Sequence, residues 1–375
     1  MKKTDTDHTY GDTDASTPAV DLIIPIWGEA TQVGSAVASL VENTPAARFI
    51  FLNNGCERET EQLVEAVAEH LDERALFISF ERNLGNIRAI NAGLARSDAP
   101  LRVLLHCTTR VRPGWLEGLV TAASSADVGM VVPGSLLQAH EKAKSGSCFA
   151  ELDHGSFSAM LVKGELYDRI GGFDEDLWDE EWCLRDYSRR AWRAGFRTAT
   201  APRVVVDLLP AKIYGSSAAR QVRQGDGKVR YEEAWGIERH YCLYLPADTR
   251  SEEVLTVADL ALLAARQGHG STLLAHSRVY KGLREAGWTT SHDRLRILRL
   301  PVMFPERAAR HSACDLANRF PFVEFVKNPA GAAVPGQDRA LDFEAFARCI
   351  RENQAVRFAG VLPGEKLSER KERVD

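Results

Sequence analysis

From residue 20 to about residue 207 the chain alternates short apolar runs with amphipathic stretches. Residues 22–25, 49–52, 76–80 and 103–105 are apolar runs too short for a helix and read as buried strands, and 130–133 and 158–162 add two more. Between them, 30–42 and 59–70 carry apolar residues at helical spacing. Strands alternating with helices predict an α/β layer structure around a mostly parallel sheet, whose ligands bind at the carboxyl ends of the strands. Residues 182–195 predict a further helix, with Leu184, Tyr187, Ala191 and Ala194 on one face. Arg185, Arg189 and Arg193 recur every fourth residue on another side and read as a solvated face, while Asp186 and Arg190 are spaced to pair along the helix.

Past Pro210 the pattern changes. Residues 215–227 are small, polar and glycine-containing and read as a loop or lid. Residues 256–267 and 271–286 read as a helical hairpin broken at Gly268-His-Gly270, and a last helix is expected near 343–353. The pattern divides the chain into an α/β domain over 20–213 and a mainly helical accessory domain over 214–375. Residues 1–19 are polar, lack the apolar core of a signal peptide and read as a disordered arm; the charged end at 369–375 reads as frayed.

Composition narrows the class. A length of 375 residues exceeds one average domain, and 45% hydrophobic with 26% charged residues is ordinary for a globular chain with a sizeable core. A formal charge of −5 gives no support to a nucleic-acid partner. The sequence has no run of about 18 apolar residues, so no membrane-spanning helix is expected. Seven scattered cysteines without a Cys-x-x-Cys pair argue against a disulfide framework or a structural zinc, and make the cytoplasm the expected compartment.

Candidate chemistry clusters just after the predicted strands. Pro25-Ile-Trp-Gly-Glu29 follows the first and Asn53-Asn-Gly-Cys56 the second. Asparagine offers a donor and an acceptor to a base edge, and an Asn-Gly turn capping a strand explains the same residues without a ligand. Asn83-Leu-Gly-Asn86, with Arg88, Asn91 and Gly93 behind it, is a tight glycine turn opening a helix, which presents backbone N–H groups to an anion that Arg88 can pair. His106-Cys-Thr-Thr109 and then Pro113-Gly-Trp-Leu116 follow the fourth strand. Phe173-Asp-Glu-Asp-Leu-Trp-Asp-Glu-Glu181 holds six carboxylates. Clustered acids raise one member's pKa and suit a general base; a solvated loop that caps the next helix is the competing explanation.

In that order and spacing the segments resemble the family 2 glycosyltransferases. The resemblance covers roughly residues 20–210 and implies a GT-A nucleotide-sugar fold. It implies inverting transfer of a sugar from a nucleotide-diphosphate donor to a hydroxyl-bearing glycan, lipid-linked or small-molecule acceptor. The donor side would comprise Pro25, Glu29, Asn53, Asn54, Asn83, Gly85, Arg88, His106 and Thr108. Asp153 and His154 fall on the acceptor side, where a strand-edge turn explains them equally, and the base falls among Asp179, Glu180 and Glu181, with Asp179 placed first.

The chain departs from the family pattern at three linked donor-side positions. Asn53-Asn54 replaces the base-reading aspartate, His106-Cys107-Thr108 replaces the Asp-x-Asp metal pair, and Asp207 stands where a histidine is usual. Imidazole beside a threonine is a poor substitute for two carboxylates toward Mg²⁺ or Mn²⁺, and adjacent His and Cys are weak evidence for zinc. Three alternatives stay open, and no cofactor is fixed. Arg88, Arg110, Lys212, Arg220, Arg223 and Lys228 neutralise the diphosphate; or a divalent metal sits on other acids, Asp153 and Asp207 first; or catalysis is lost and a silent module binds a glycan, nucleotide or protein. Two registers of the acidic segment also compete. One puts the base at Asp179–Glu181; the other aligns Asp186-Tyr-Ser-Arg-Arg190 with the family motif and leaves Cys183-Leu184 at the base position.

Overall fold

The structure is a computed structural model that describes residues 19–134, 149–209 and 217–355. Of the arm expected at 1–19, residues 1–18 lie outside the described residues, as does the charged end at 369–375. Seven strands form the first sheet in the order β3-β2-β1-β4-β7-β6-β8. They are β1 (Val20–Ile26), β2 (Arg48–Asn53), β3 (Ala75–Ser79), β4 (Leu101–Leu105), β6 (Val128–Pro133), β7 (Ala159–Lys163) and β8 (Arg197–Ala201). Strands β3, β2, β1 and β4 run parallel, and β7 runs antiparallel to both β4 and β6. The short β5 (Thr109–Val111) pairs antiparallel with β9 (Val206–Leu208) in a separate ribbon.

The parallel strands are mainly apolar because helices cover both faces of the sheet. Leu22, Ile23, Ile24, Phe49, Ile50, Phe51, Val103 and Leu104 have no solvent contact. Pro25 is tolerated inside β1 because the pairing with β4 ends at Ile23↔Leu104, two residues earlier. Helix α1 (Ala30–Asn43), α2 (Arg58–Leu71) and α3 (Asn86–Leu94) match the predicted crossovers. Gly93 of α3 packs directly on the sheet: a Cβ there would lie 2.8 Å from Leu52 Cδ1 and would also meet Ile23. Gly93→Ala should therefore destabilise the domain by about 1–3 kcal/mol through overpacking, read as a lower urea midpoint at constant slope.

Two expectations past Pro210 are corrected. Residues 217–227 are helical, as the first half of Ser217–Trp235. Glycine propensity would break a helix there, but packing decides. At Gly227 a Cβ would lie 3.0 Å from Trp182 Cδ1 and 3.2 Å from Asp179 Cβ, so only a small residue allows the contact. Tyr231 and Trp235 of this helix join the first core, which thus runs past the boundary expected at 213/214.

The predicted hairpin is the second correction. Ser251–Arg266 is helical, but Gly270–His276 is strand β11, followed by the helix Ser277–Glu285. With β10 (His240–Leu245), β12 (Leu295–Leu300) and β13 (Val323–Val326) it forms a parallel sheet in the order β12-β11-β10-β13. An apolar run such as Leu273–Ala275, buried on both faces, has no period that separates strand from helix. The C-terminal part is mainly helical by residue count, as expected, with its helices layered on both faces of this sheet.

The arginine row is not a solvated face. Arg189 is buried, its Nε donates to Tyr231 Oη at 2.9 Å, and its guanidinium occupies the space a side chain at Gly268 would fill. Arg193 stacks on Trp235 at 3.9 Å, and Arg185 is ion-paired within the domain interface.

Candidate active site

The carboxyl ends of β1, β2, β3 and β4 share one edge, and backbone bonds knit their loops together. Asn54 N–H donates to Ile26 O at 3.0 Å and Phe80 N–H to Asn53 O at 3.0 Å. Cys107 Sγ donates to Trp27 O at 3.0 Å, and the Trp27 and His106 rings meet edge to face at 5.0 Å. Pro25, Asn53, Asn54, His106 and Thr108 thus lie at or just past the strand ends on one edge of the sheet, with Glu29 at the start of α1.

Both asparagines are buried and shape this edge. Asn53 Nδ2 donates to Glu61 Oε1 (2.6 Å) and Ser79 Oγ (2.9 Å), and its Oδ1 accepts from the Cys56 N–H (3.1 Å). Asn54 Oδ1 accepts the Leu84 N–H at 2.8 Å, which anchors the glycine turn to the end of β2. Asn83 closes that turn by accepting the Gly85 N–H at 2.8 Å. Gly55, at φ 74°, fits because a Cβ there would lie 2.8 Å from Asn83 N.

The position of the family's metal pair holds His106 and Thr108, joined Nδ1···Oγ1 at 2.9 Å. Burial lowers the His106 pKa to about 4, so the ring is neutral at working pH. A neutral imidazole and a hydroxyl do not match the oxygen-rich set a hard divalent ion needs. Among the described residues no group of three or more His, Cys, Asp or Glu is arranged to hold a metal. Asp207, on β9, pairs with Arg112 at 2.9 Å.

Asp153 lies elsewhere, in the seam between the two domains. It faces Arg294 at 2.8 Å and Arg185 at 3.7 Å, and those two arginines reach Glu238 at 3.1 and 2.7 Å. Burial alone would raise the Asp153 pKa; Arg294, Arg185 and Arg189 outweigh it and hold the carboxyl well below the usual range. Glu151, two residues earlier, takes a bidentate bond from Arg266 of the second domain at 2.6 and 2.7 Å. His154 Nδ1 contacts Gly155 O at 2.8 Å, a local turn contact.

The acidic segment meets the glycine turn. Asn86, the first residue of α3, bonds Glu180 Oε1 through Nδ2 at 2.7 Å. One turn on, Asn91 grips Phe173 N and O, both at 2.9 Å, and Glu175 Oε1 at 3.0 Å. Arg88 pairs with Glu175 at 3.4 Å and lies 5.3 Å from the ring of the exposed Trp178. The role of Asn86 in reaching the acids has no signature in the sequence, because its partner stands 94 residues away.

The three acids named for the base separate here. Asp179 is the N-cap of the helix Glu180–Arg193, its Oδ1 accepting from Glu181 N (3.1 Å) and Trp182 N (3.3 Å). Glu181 pairs with Arg185 at 3.0 Å. Glu180 is exposed; desolvation raises its pKa, opposed by the Asn86 hydrogen bond and helped by Asp179. Further along, Asp186 and Arg190 form a buried pair at 2.8 Å, and Arg190 also donates to Ile170 O and Gly172 O at 2.9 Å. Cys183, between them and Glu180, is buried, and desolvation raises its thiol well above the usual value.

Residues 21–144 match the family model described as glycosyl transferase family 2. The match covers about a third of the chain, so it is the first sheet's β1–β6 region that is similar to family 2 glycosyltransferases. The chain is similar in structure to a mannosyltransferase from Pyrobaculum calidifontis, solved with GDP-Man and Mn²⁺, at 15% identity over 92% of this chain and 88% of that one, with a TM-score of 0.48. It is also similar to GalNAc-T7, solved with UDP, GalNAc and Mn²⁺, at 18% identity over 59% of this chain and half of that one, with a TM-score of 0.47. Among curated proteins nothing matches the chain.

Proposed function

We propose that the chain transfers a sugar from a nucleotide-diphosphate donor to an acceptor hydroxyl with inversion, and that Glu180 is the general base. The observation that carries this reading is the Asn86–Glu180 bond, which brings a carboxylate of raised pKa to the turn expected to hold the diphosphate. Glu180 takes the acceptor hydroxyl proton as the oxygen bonds to the anomeric carbon from the face opposite the leaving group. The bond from that carbon to the donor oxygen breaks, and the nucleoside diphosphate leaves with the electron pair. The exposed Trp178 beside Arg88 offers an apolar face for a sugar at the mouth.

The buried Asp186–Arg190 pair supports the register in which Cys183-Leu184 stand at the family's base position. In that register the acid has moved one helical turn toward the N-terminus, from Cys183 to Glu180. Leaving-group charge is met by cations in place of an acid-held metal. The helix Ser217–Trp235 crosses Asp179 and Trp182 at Gly227, and it carries Arg223 and Lys228 on its exposed surface. Lys212 lies outside the described residues.

The test is donor hydrolysis and thermal stabilisation across a nucleotide-sugar panel, in EDTA and then with Mn²⁺. Turnover in EDTA within about threefold of that with Mn²⁺ is expected, because the groups at the diphosphate position do not suit the ion. An absolute Mn²⁺ requirement would overturn metal independence, and donor binding with no turnover in any condition would favour the silent module.

A further inference from the structure

The second domain carries a feature that sugar transfer does not use. The amino ends of its strands face the first domain: Thr290 O and Ser291 O accept from Ala150 and Glu151, and Arg294 and Glu238 reach Asp153 and Arg185. The carboxyl ends therefore point away from the first domain. There, after β12, Pro301-Val-Met-Phe-Pro305 presents Val302, Met303 and Phe304 at 67%, 72% and 71% exposure. Three consecutive apolar residues so exposed are uncommon on a surface without a binding role.

The loop is built to hold them out. Prolines bracket it, and Phe304 is in the left-handed region at φ 55°, a conformation a bulky side chain rarely adopts. The charge around it is basic. Setting aside Asp293 and Arg294, which lie in the domain seam, Ser277 to Arg310 carries seven Lys and Arg (278, 281, 284, 296, 299, 307, 310) and two acids (285, 306), a local +5 in a chain of −5. All seven of those cations are exposed. Arg299 adjoins the loop, its Nε bonding Ser277 Oγ at 3.3 Å while Ser277 Oγ bonds Leu300 O at 2.6 Å; Arg307 lies three residues beyond Phe304. Strand β12 is also the sheet's edge strand, with Arg296 and Arg299 along it.

We propose that this pole is a docking surface for an anionic membrane. Val302, Met303 and Phe304 enter the headgroup–acyl boundary while the surrounding arginines, Arg299 and Arg307 nearest, meet lipid phosphates. A short apolar tip ringed by cations is the arrangement that combines buried area with attraction to acidic lipids. Glu306 is the one acid in the sequence between Arg299 and Arg310.

The test is co-sedimentation of the full chain with phosphatidylcholine vesicles, with and without about 30% phosphatidylglycerol, at low and high salt. Binding is expected with the anionic vesicles only, weakening as salt rises. The triple variant Val302→Ser, Met303→Ser, Phe304→Ser should bind at least about tenfold more weakly, and Arg299→Gln with Arg307→Gln should lose the salt-dependent part. Unchanged thermal midpoints show that both variants fold. Wild-type protein left in solution with both vesicles overturns the proposal, as does a triple variant that sediments like the wild type. A wild-type dimer that the triple variant abolishes, without vesicle binding, would assign the loop to a second copy instead.

Discussion

Glu180→Gln is expected to lower the turnover number by about 10²–10⁴-fold while donor affinity stays within roughly threefold. The amide keeps the size and still accepts from Asn86 through its carbonyl oxygen, but it cannot take the acceptor proton. Stopped assays of transfer, paired with donor-induced thermal stabilisation, separate the two quantities. The contrast is Asp179→Asn. Asparagine caps a helix about as well as aspartate, so the N-cap bonds to Glu181 and Trp182 persist and turnover should fall no more than a few-fold. A large loss in Asp179→Asn with an unaffected Glu180→Gln would return the base to Asp179.

The pH profile gives the same assignment a second readout. Glu180 must be ionised to act, and desolvation raises its pKa, so the acid limb of the rate should lie above the ordinary glutamate range of about 4.3. Glu180→Gln should abolish that limb. Asn86→Ala removes the hydrogen bond that favours the ionised form and should move the limb to still higher pH. A structural role for Glu180 would move stability in these variants and leave the limb in place.

Six strands of the first sheet were legible because they are short apolar runs, while β8, Arg197-Thr-Ala-Thr-Ala201, has no such run; the crossovers from β1 to β4 fall where the pattern puts them. The glycine turn and the acidic stretch were legible as motifs. Their contact through Asn86 was not, since nothing local marks a partner 94 residues away. Arg189 shows the limit of face-counting. Its spacing matches a solvated stripe, but Tyr231 and Gly268, from two other elements, close over it. The second sheet was missed for a related reason: its central strands β10 and β11 are buried on both faces and have no alternation, and only pairing reveals them.

Asp153 was read from sequence as an acceptor-side group or a metal ligand, and its surroundings predict something else. Asp153→Ala is expected to destabilise the protein by about 3–5 kcal/mol, because it leaves Arg294 and Arg185 facing each other across the domain seam, sharing Glu238, with Glu181 on Arg185 alone. Urea unfolding by a tryptophan signal and by far-ultraviolet dichroism should show the midpoint fall, with the two probes diverging if the domains separate first. The sign of the pH dependence follows from the depressed carboxyl. In the unfolded chain Asp153 protonates near its ordinary pKa, while in the fold it stays ionised to lower pH. Its contribution is therefore present above the ordinary aspartate range and lost as pH falls toward the depressed value. Asp153→Asn should remove that acid-side loss while keeping the shape. Pairing Asp153→Ala with Arg294→Met should recover part of the lost stability, since the second change removes the uncompensated charge; full additivity would show that the two do not interact. A metal ligand would behave differently: its loss would change the response to Mn²⁺ and leave the metal-free midpoint nearly where it was.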